Sequence, residues 1–361
     1  MRVVLVAEQL RRPVPGGIGT YVRALVGGLA ALGADGPDLT LWASRPRRRR
    51  DGVDPVAALG PPVTTTGVPG PVLVRAWDRG LGGFRGPADV VHAASLAVPP
   101  RRGAPVTVTV HDLAWRRMPA AYPPRGRRWH EAALARALDR ASLLVAPSTA
   151  TADDLVAAGA PAARVEVVAE GSDHLPPPDP AAAAALLAGL GVEGPYLLSV
   201  STLEPRKNLR RLVAAYRRAR PRLPEPWPLV VVGPAGWGDG GRPEGEGVAL
   251  AGWVDDATLA ALYQEARAVA YVPLVEGFGL PALEAMAAGA PVVASPMPST
   301  GGAALEVDPT DEAAMADALV RAATDDDARR SLVAAGAARA AGLTWAAAAR
   351  RHAELWAAVG G

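Results

Sequence analysis

The segment Glu276-Gly-Phe-Gly-Leu-Pro-Ala-Leu-Glu284 places two carboxylates around a Gly-rich turn, with seven residues between them. It follows an apolar run and opens a helical one. Gly277 and Gly279 let the backbone approach a ligand closely. Pro281 suits a first helical turn, and the unpaired N–H groups of a helix start can hold a phosphate. Glu276 is expected in the loop, facing a cleft. Glu284, expected near the end of the first turn, is placed to accept hydrogen bonds from sugar hydroxyls. The plainer reading of the same spacing is a strand-to-helix turn with two solvated carboxylates.

A second segment, Ser201-Thr-Leu-Glu204-Pro-Arg206-Lys207-Asn208, also joins an apolar run to a helical one. The adjacent cations Arg206 and Lys207 can neutralise a diphosphate leaving group, and Asn208 can cap the helix. The plainer alternative is a surface loop with a basic pair. Composition argues against that alternative. The chain is dominated by Ala, Arg, Gly, Pro and Val, as under drift toward GC-rich codons, and 37 of its 38 basic residues are Arg. Its only Lys and only Asn are Lys207 and Asn208. Phe278 is one of two Phe, and the only Ile, Ile18, lies in a third Gly-rich segment.

That third segment is Pro15-Gly16-Gly17-Ile18-Gly19-Thr20-Tyr21, read as a loop offering backbone donors between the first strand and the first helix. It is no dinucleotide fingerprint. Gly17-x-Gly19-x-x-Val22 lacks the third Gly, and no acidic residue ends the next strand. This disfavours an NAD dehydrogenase. A fourth candidate, His111-Asp112, ends a strand, where a His can touch substrate or simply bond to backbone. His92 also ends a strand. His130 and His352 fall on expected helices, and His174 in a linker. No His, Asp and Glu cluster has metal-ligand spacing, and no Gly-x-Ser-x-Gly elbow is present.

These segments need parallel α/β units to position them. Strands are expected at Arg2–Glu8, Leu39–Ala43, Val90–His92, Val106–His111, Leu143–Pro147 and Val165–Ala169. A second series is expected at Tyr196–Val200, Leu229–Val232, Val248–Ala251, Val269–Val272 and Val292–Ser295. Helices fit about Thr20–Leu32, Gly126–Arg140, Thr149–Ala158, Asn208–Arg220, Asp256–Glu265, Pro281–Ala288, Asp311–Ala323 and Thr344–Ala358. His174–Pro180 (HLPPPDP) reads as a stiff linker. The expected division is residues 1–173, residues 174–343, and a closing helix, 344–361, packing back toward the first domain. A ligand cleft is expected between facing strand carboxyl ends.

At 361 residues, two domains are the natural prior. A formal net charge of +2 is too balanced to argue for nucleic acid as a partner. No apolar run approaches the roughly 18 residues of a membrane span, and the N-terminus reads as a strand rather than a signal peptide. The expected location is cytoplasmic, with a peripheral place at the inner membrane face as a further expectation. Without Cys there is no disulfide or thiolate chemistry.

Together and in this order, the four segments resemble the retaining glycosyltransferases of the GT-B fold, specifically glycosyltransferase family 4. The resemblance covers nearly the whole chain. Glu276 to Glu284 is similar to that family's E-x7-E motif with its Gly-Phe-Gly-Leu interior, Gly277 to Leu280. Glu204 to Asn208 is similar to its phosphate-binding motif. The resemblance implies two Rossmann-like domains facing a central cleft. It implies that Glu276 binds the donor sugar, Glu284 the nucleotide ribose, and Arg206 and Lys207 the diphosphate. His111 would approach the sugar near its reacting carbon, and Gly16 and Gly17 would line the phosphate and acceptor side. Gly252-Trp253-Val254 resembles the segment whose backbone meets the base. Departures occur after Ser295, which is followed by Pro-Met-Pro-Ser-Thr-Gly-Gly, and at a short Gly-rich Gly238–Gly247. Both bear on base preference.

The implied reaction is front-face transfer of a hexose from a nucleotide-diphosphate sugar, with retention and without metal or further cofactor. GDP-mannose leads as donor, ahead of UDP-glucose and UDP-N-acetylglucosamine. The acceptor is a hydroxyl of a glycan, a lipid-linked glycan or a small molecule. A sugar-nucleotide epimerase of the same fold and a non-catalytic nucleotide-sugar binder are the rivals. The basic run Arg45 to Arg50, and Arg116, Arg117, Arg125, Arg127 and Arg128 with Trp115 and Trp129, read either as a surface for anionic lipid or as a solvated basic face.

Overall fold

The alternation of β-branched runs with Ala/Leu/Arg-rich stretches resolves into two parallel α/β units. The structure, a computed structural model, describes residues 1–46, 52–225, 227–236 and 244–361. One unit comprises residues 1–116, 123–171 and 345–361, the other 117–122 and 172–344.

The first unit holds β1 (Arg2–Val6), β2 (Asp38–Ala43), β3 (Val63–Thr65), β4 (Val90–Ala93), β5 (Val106–Thr109), β6 (Ala141–Ala146) and β7 (Val165–Val167). Their order is β3-β2-β1-β4-β5-β6-β7, and every pairing is parallel. Helices cover both faces of such a sheet, so its central strands read as continuous apolar runs rather than alternating ones. All four residues of β4 and of β5 are buried. Helix Gly16–Ala31 turns Tyr21, Val22, Leu25 and Leu29 inward. The closing helix Trp345–Gly360 lies against it. A Cβ on Gly28 would collide with the Trp345 carbonyl, and the Tyr21 hydroxyl lies 2.9 Å from His352 Nε2.

The second unit holds β8 (Leu197–Val200), β9 (Leu229–Val232), β10 (Val248–Gly252), β11 (Ala268–Tyr271), β12 (Val292–Ala294) and β13 (Leu305–Glu306), ordered β10-β9-β8-β11-β12-β13 and all parallel. Leu197, Leu229 and Ala268 of this sheet meet Leu212 and Tyr216 of helix Leu209–Ala219, with Met315 and Leu319 of helix Glu312–Thr324. Fully burying a large apolar side chain contributes about 1.5–3 kcal/mol. This core therefore fixes the strand ends from which the functional loops leave.

Every expected strand is present, and several are shorter at the carboxyl end. β1 stops at Val6 because Glu8 opens a 3-10 turn, whose Glu8 carboxylate accepts the Ser44 N–H at 2.7 Å. β3, β13 and the helices Gly70–Asp78, Pro180–Gly189 and Asp326–Ala341 were not expected. Two expectations are corrected. The Gly-rich segment after β1 is not a loop, since Gly16 to Gly19 form the first turn of the helix. The Pro-rich stretch is not a free linker. Ser172 N donates to Leu343 O at 3.0 Å, Asp179 N donates to Ala257 O at 3.0 Å, and the Asp179 side chain caps the helix that begins at Pro180. Within the apolar region 326–360 the helix breaks at Gly342–Thr344 into two pieces of 16 residues. Each is about 24 Å long, short of the ~30 Å hydrocarbon core.

Candidate active site

Parallel strands bring all their carboxyl ends to one edge of a sheet. In the second unit the order reverses between β8 and β11, with β9 and β10 on one side and β12 and β13 on the other. Loops leaving the two central strands diverge there, which makes such a switch point a ligand crevice. The segment 201–208 follows β8 and the segment 273–279 follows β11, so the topology brings both motifs together. Leu274 N donates to Arg206 O at 2.9 Å. Asn208 pins the same junction, its Nδ2 donating to Val272 O at 3.1 Å and Pro309 O at 2.7 Å. It was expected to cap the helix. It holds the N-cap position in a left-handed conformation, φ 62°, and its side chain makes no capping bond: Nδ2 is turned to those carbonyls, and Oδ1 accepts from Arg211 Nη1 at 3.1 Å instead of from the helix N–H groups.

At this junction three donors converge on one carboxylate oxygen, Glu276 Oε2. Lys207 Nζ is 2.6 Å away, the Tyr271 hydroxyl 2.8 Å and Arg206 Nη1 3.1 Å. Lys207 also donates to the Tyr271 oxygen at 2.6 Å and lies over the Tyr271 ring, 5.2 Å from its centre. Arg206 Nε lies 2.7 Å from Glu204 Oε1. The Lys207 side chain is 9% exposed and that of Glu276 14%. The two expected diphosphate ligands and the expected sugar ligand are thus brought together and paired with one another. Burial alone would raise the Glu276 carboxyl, but Lys207 and Arg206 overcome it and hold it at about 2. Burial lowers Lys207 against the pull of Glu276. It raises the Glu204 carboxyl despite Arg206 and Lys207. Burial, reinforced by Glu276, keeps Tyr271 a phenol. Tyr271 escaped the sequence reading. Its position as the last residue of a strand leading into the motif is the signal that could have found it.

Gly279 has φ 101°, and a Cβ there would collide with Met297 Sδ and Ser299 Oγ. Ser299 Oγ donates to Gly279 O at 2.8 Å and Ser299 N to Phe278 O at 3.0 Å. The stretch after Ser295 that departs from the family pattern therefore braces the Gly277–Leu280 turn. Helix Leu280–Ala287 starts there, with Pro281 in its first turn. Glu284 lies in the second turn rather than the first, because the helix begins at Leu280, and it is buried. The Tyr263 hydroxyl donates to its Oε2 at 2.9 Å, and His174 Nε2 lies 3.0 Å from its Oε1. Both partners were missed. Tyr263 lies within helix Asp256–Glu265, and His174 was assigned to the linker.

The strand order of the first unit reverses between β1 and β4. His111 follows β5. Its Nε2 lies 3.0 Å from Ala94 O and its Nδ1 3.2 Å from Glu170 Oε1. Burial would lower this imidazole, but Glu170 overcomes it and the value is raised. Both ring nitrogens can then act as donors, one to a carbonyl and one to a carboxylate. Glu170 was missed, since no spacing joins it to His111. His92 and His352 belong to the core instead. His352 Nδ1 donates to Ala348 O at 2.8 Å, so its Nε2 accepts from Tyr21. Burial lowers His352 to about 4 and pushes His92 well below its usual value. A Cβ on Gly17 would meet nothing within 4 Å, so packing does not require glycine there, whereas Gly16 has φ 61°, a left-handed backbone that favours glycine for conformational reasons. Val254 follows β10 at the same sheet edge as both motifs, beside a Trp253 that is 73% exposed.

The aromatic part of the basic face is corrected. Trp115 is buried, donates to Glu131 at 2.7 Å and stacks on His130, while Arg116 forks onto the same Glu131. Trp129 Nε1 donates to Asp78 at 3.3 Å. Arg125, Arg127 and Arg128 are exposed. Arg47 to Arg50 and most of Gly238–Gly247 lie outside the described residues.

Two family models match the chain, "Glycosyltransferase Family 4" over residues 15–174 and "Glycosyl transferases group 1" over residues 194–325. The O-antigen chain mannosyltransferase B of Escherichia coli is 33% identical, with 71% of either chain covered. The chain belongs to glycosyltransferase family 4. The D-inositol 3-phosphate glycosyltransferase of Xylanimonas cellulosilytica is 34% identical over 69% of this chain and 66% of that protein. The crystal structure of HepE from Anabaena in complex with UDP and glucose matches with a TM-score of 0.72 at 19% identity, covering 99% of this chain and 100% of HepE. That likeness shows the fold, two Rossmann-like units of the GT-B type, as the sequence reading expected. In this family member the Glu276 to Glu284 motif stands beside the Arg206–Lys207 pair on one sheet edge.

Proposed function

We propose that this glycosyltransferase is a retaining, metal-independent hexosyltransferase whose second unit holds a nucleotide-diphosphate sugar at the β8/β11 switch point. The observation that carries the reading is the convergence of Lys207, Arg206 and Tyr271 on a single carboxylate oxygen. Such a cluster of donors is built for an anion. In this structure that anion is Glu276. On donor binding the diphosphate takes over Arg206 and Lys207, and Glu276 turns to the sugar hydroxyls. The glycosidic C1–O bond to phosphate then breaks as the bond from C1 to the acceptor oxygen forms on the same face. The acceptor proton passes to the departing phosphate oxygen. The protein's share is positioning and electrostatic stabilisation of the leaving group. Two cations and the start of helix Leu280–Ala287 serve in place of a metal. Glu284 is assigned to the ribose, Val254 to the base, Gly277 to Leu280 to the phosphate and sugar, and Gly16 and Gly17 to the phosphate and acceptor side. His111 is assigned to the sugar near its reacting carbon. No cofactor beyond the donor is required.

GDP-mannose is the favoured donor, because an E. coli relative is a mannosyltransferase. UDP-glucose and UDP-N-acetylglucosamine follow. The acceptor class is a hydroxyl of a glycan, a lipid-linked glycan or a small molecule. The name of that relative points to cell-envelope polysaccharide. The exposed Arg125, Arg127 and Arg128 support a peripheral place at an anionic membrane; binding to anionic liposomes that falls with salt would agree, and equal partitioning to neutral ones would sink it. The test of function is a thermal-shift screen of nucleotide sugars, since a ligand at a hundred times its Kd stabilises by about 2.7 kcal/mol. It is followed by transfer to candidate acceptors with the stabilising donor. Stabilisation by none of the donors would overturn the reading. Epimerised donor in place of glycosylated product would favour the epimerase, and binding without turnover a non-catalytic binder.

A further inference from the structure

Glu284 is buried on a helix, and the two side chains that face its oxygens come from distant parts of the second unit. Tyr263 reaches Oε2 at 2.9 Å from helix Asp256–Glu265. His174 reaches Oε1 at 3.0 Å from the chain just beyond residue 171, where the first unit's second stretch ends. The side chains of His174 and Glu284 are each 8% exposed. Neither helical periodicity nor the motif places a His at this point.

A carboxylate oxygen has two lone-pair sites. The Tyr263 hydroxyl donates to Oε2 and the His174 ring packs 3.0 Å from Oε1 as a close polar contact, so each oxygen retains an acceptor site. The two oxygens are held side by side, because rotation of the carboxylate would break the Tyr263 bond and lose the His174 contact. A cis-diol presents two O–H donors at a matching separation. We infer that His174 is a positioning residue for ribose recognition. By holding Oε1 while Tyr263 holds Oε2, it orients Glu284 to take the 2′- and 3′-hydroxyls of the nucleotide together. The inference rests on the proposed donor site and adds to it a residue from outside every motif.

His174 has no need to touch the ligand, so its effect is selective. It acts on the ribose hydroxyls and leaves the diphosphate contacts unchanged. The measurement is calorimetric titration with whichever of GDP and UDP binds more tightly, and with its 2′,3′-dideoxy form. In the parent chain the dideoxy nucleotide binds on the order of tenfold to a hundredfold more weakly, the range expected for hydrogen bonds to a charged group. In His174→Phe, which keeps a planar ring and loses the donor, the two nucleotides come within about threefold of each other. In His174→Gln, whose amide nitrogen can replace Nε2, most of the discrimination returns. Tyr263→Phe reduces the ratio in the same way and gives the same answer should His174→Phe not fold. Retention of the full parent ratio by folded His174→Phe would overturn the inference while leaving the donor site intact. A parent chain that binds both nucleotides equally would remove Glu284 from the ribose, and the inference with it. A parent chain that binds neither would overturn the proposed function itself.

Discussion

Replacing Lys207 by Arg keeps the charge and changes only its shape. Lys207 Nζ, the Tyr271 oxygen and Glu276 Oε2 form a triangle with sides of 2.6, 2.6 and 2.8 Å. Its corner is a single nitrogen, on a side chain only 9% exposed. An ammonium meets this geometry as a compact point charge. A guanidinium is planar, larger and fork-shaped. It must displace Tyr271 or lose one of the two short bonds. A lost hydrogen bond involving a charged group costs about 1.5–3 kcal/mol, and each 1.4 kcal/mol is about tenfold in rate or affinity. The expected loss in turnover is therefore on the order of 10²-fold, within the range for removing one well-placed electrostatic donor. Composition points the same way, since Arg fills every other basic position of the chain. The assay is steady-state transfer from the best donor, with a thermal melt of Lys207→Arg beside it. A folded variant within about threefold of the parent would show that Lys207 supplies charge alone. The geometric argument would then fail.

Glu276→Gln frees Arg206 and Lys207 from a competing anion, so nucleoside diphosphate should bind at least as tightly as in the parent while turnover falls at least tenfold; weaker diphosphate binding would refute the exchange of partners. The same variant tests acid stability. The depressed carboxyl contributes stability above its unfolded value and loses it as pH falls toward about 2, so the melting gap between parent and variant should close on acidification. For His111 the sign is opposite. Glu170 raises the imidazole, so the pair stabilises fully below its unfolded value of about 6.5 and loses its contribution as pH rises through the folded value. The melting difference between parent and Glu170→Gln should shrink as pH rises above about 6.5 and through the raised folded value, and a constant difference would refute the ion pair. Excess EDTA should leave transfer within about twofold of its untreated rate, since under the proposed function Arg206 and Lys207 supply the positive charge; abolition with rescue by magnesium or manganese would overturn this account of the leaving group.

The order of elements and the two motifs of the second unit were legible because each is local. A strand, a turn with fixed Gly positions and a helix start leave their pattern within about ten residues. β13 has only two residues, Leu305 and Glu306, and offers no periodicity to read. β3 is a three-residue edge strand with two exposed Thr, and it presents no apolar run. Helix Pro180–Gly189 is so rich in Ala that both faces look alike, and the prolines before it dominate the segment. The partners of the site residues were illegible for a different reason. Glu170 lies 59 positions from His111, and Tyr271 lies 64 from Lys207. Only the closure of a sheet brings such pairs together. The left-handed Asn208 shows the same limit, for its side chain fits a capping rule but answers to two carbonyls from other loops.

The two carboxylates of the motif are held by different kinds of neighbour, and this separates their kinetic roles. Glu284 is fixed by Tyr263 and His174, and under the proposed function its partner, the ribose, is unchanged between bound substrate and transition state. Such an interaction is uniform binding, which lowers KM and leaves kcat alone. Glu276 is held by Arg206 and Lys207, whose other proposed partner, the diphosphate, gains charge as the glycosidic bond breaks. Contacts that strengthen along that coordinate act on kcat. The burial of Lys207 sharpens the effect, because a cation in a low-dielectric surrounding responds strongly to charge that develops beside it. Substitutions around Glu284 should thus appear chiefly in KM and those around Glu276 chiefly in kcat. One nine-residue motif would then divide into a half that recognises the nucleotide and a half that acts on its leaving group.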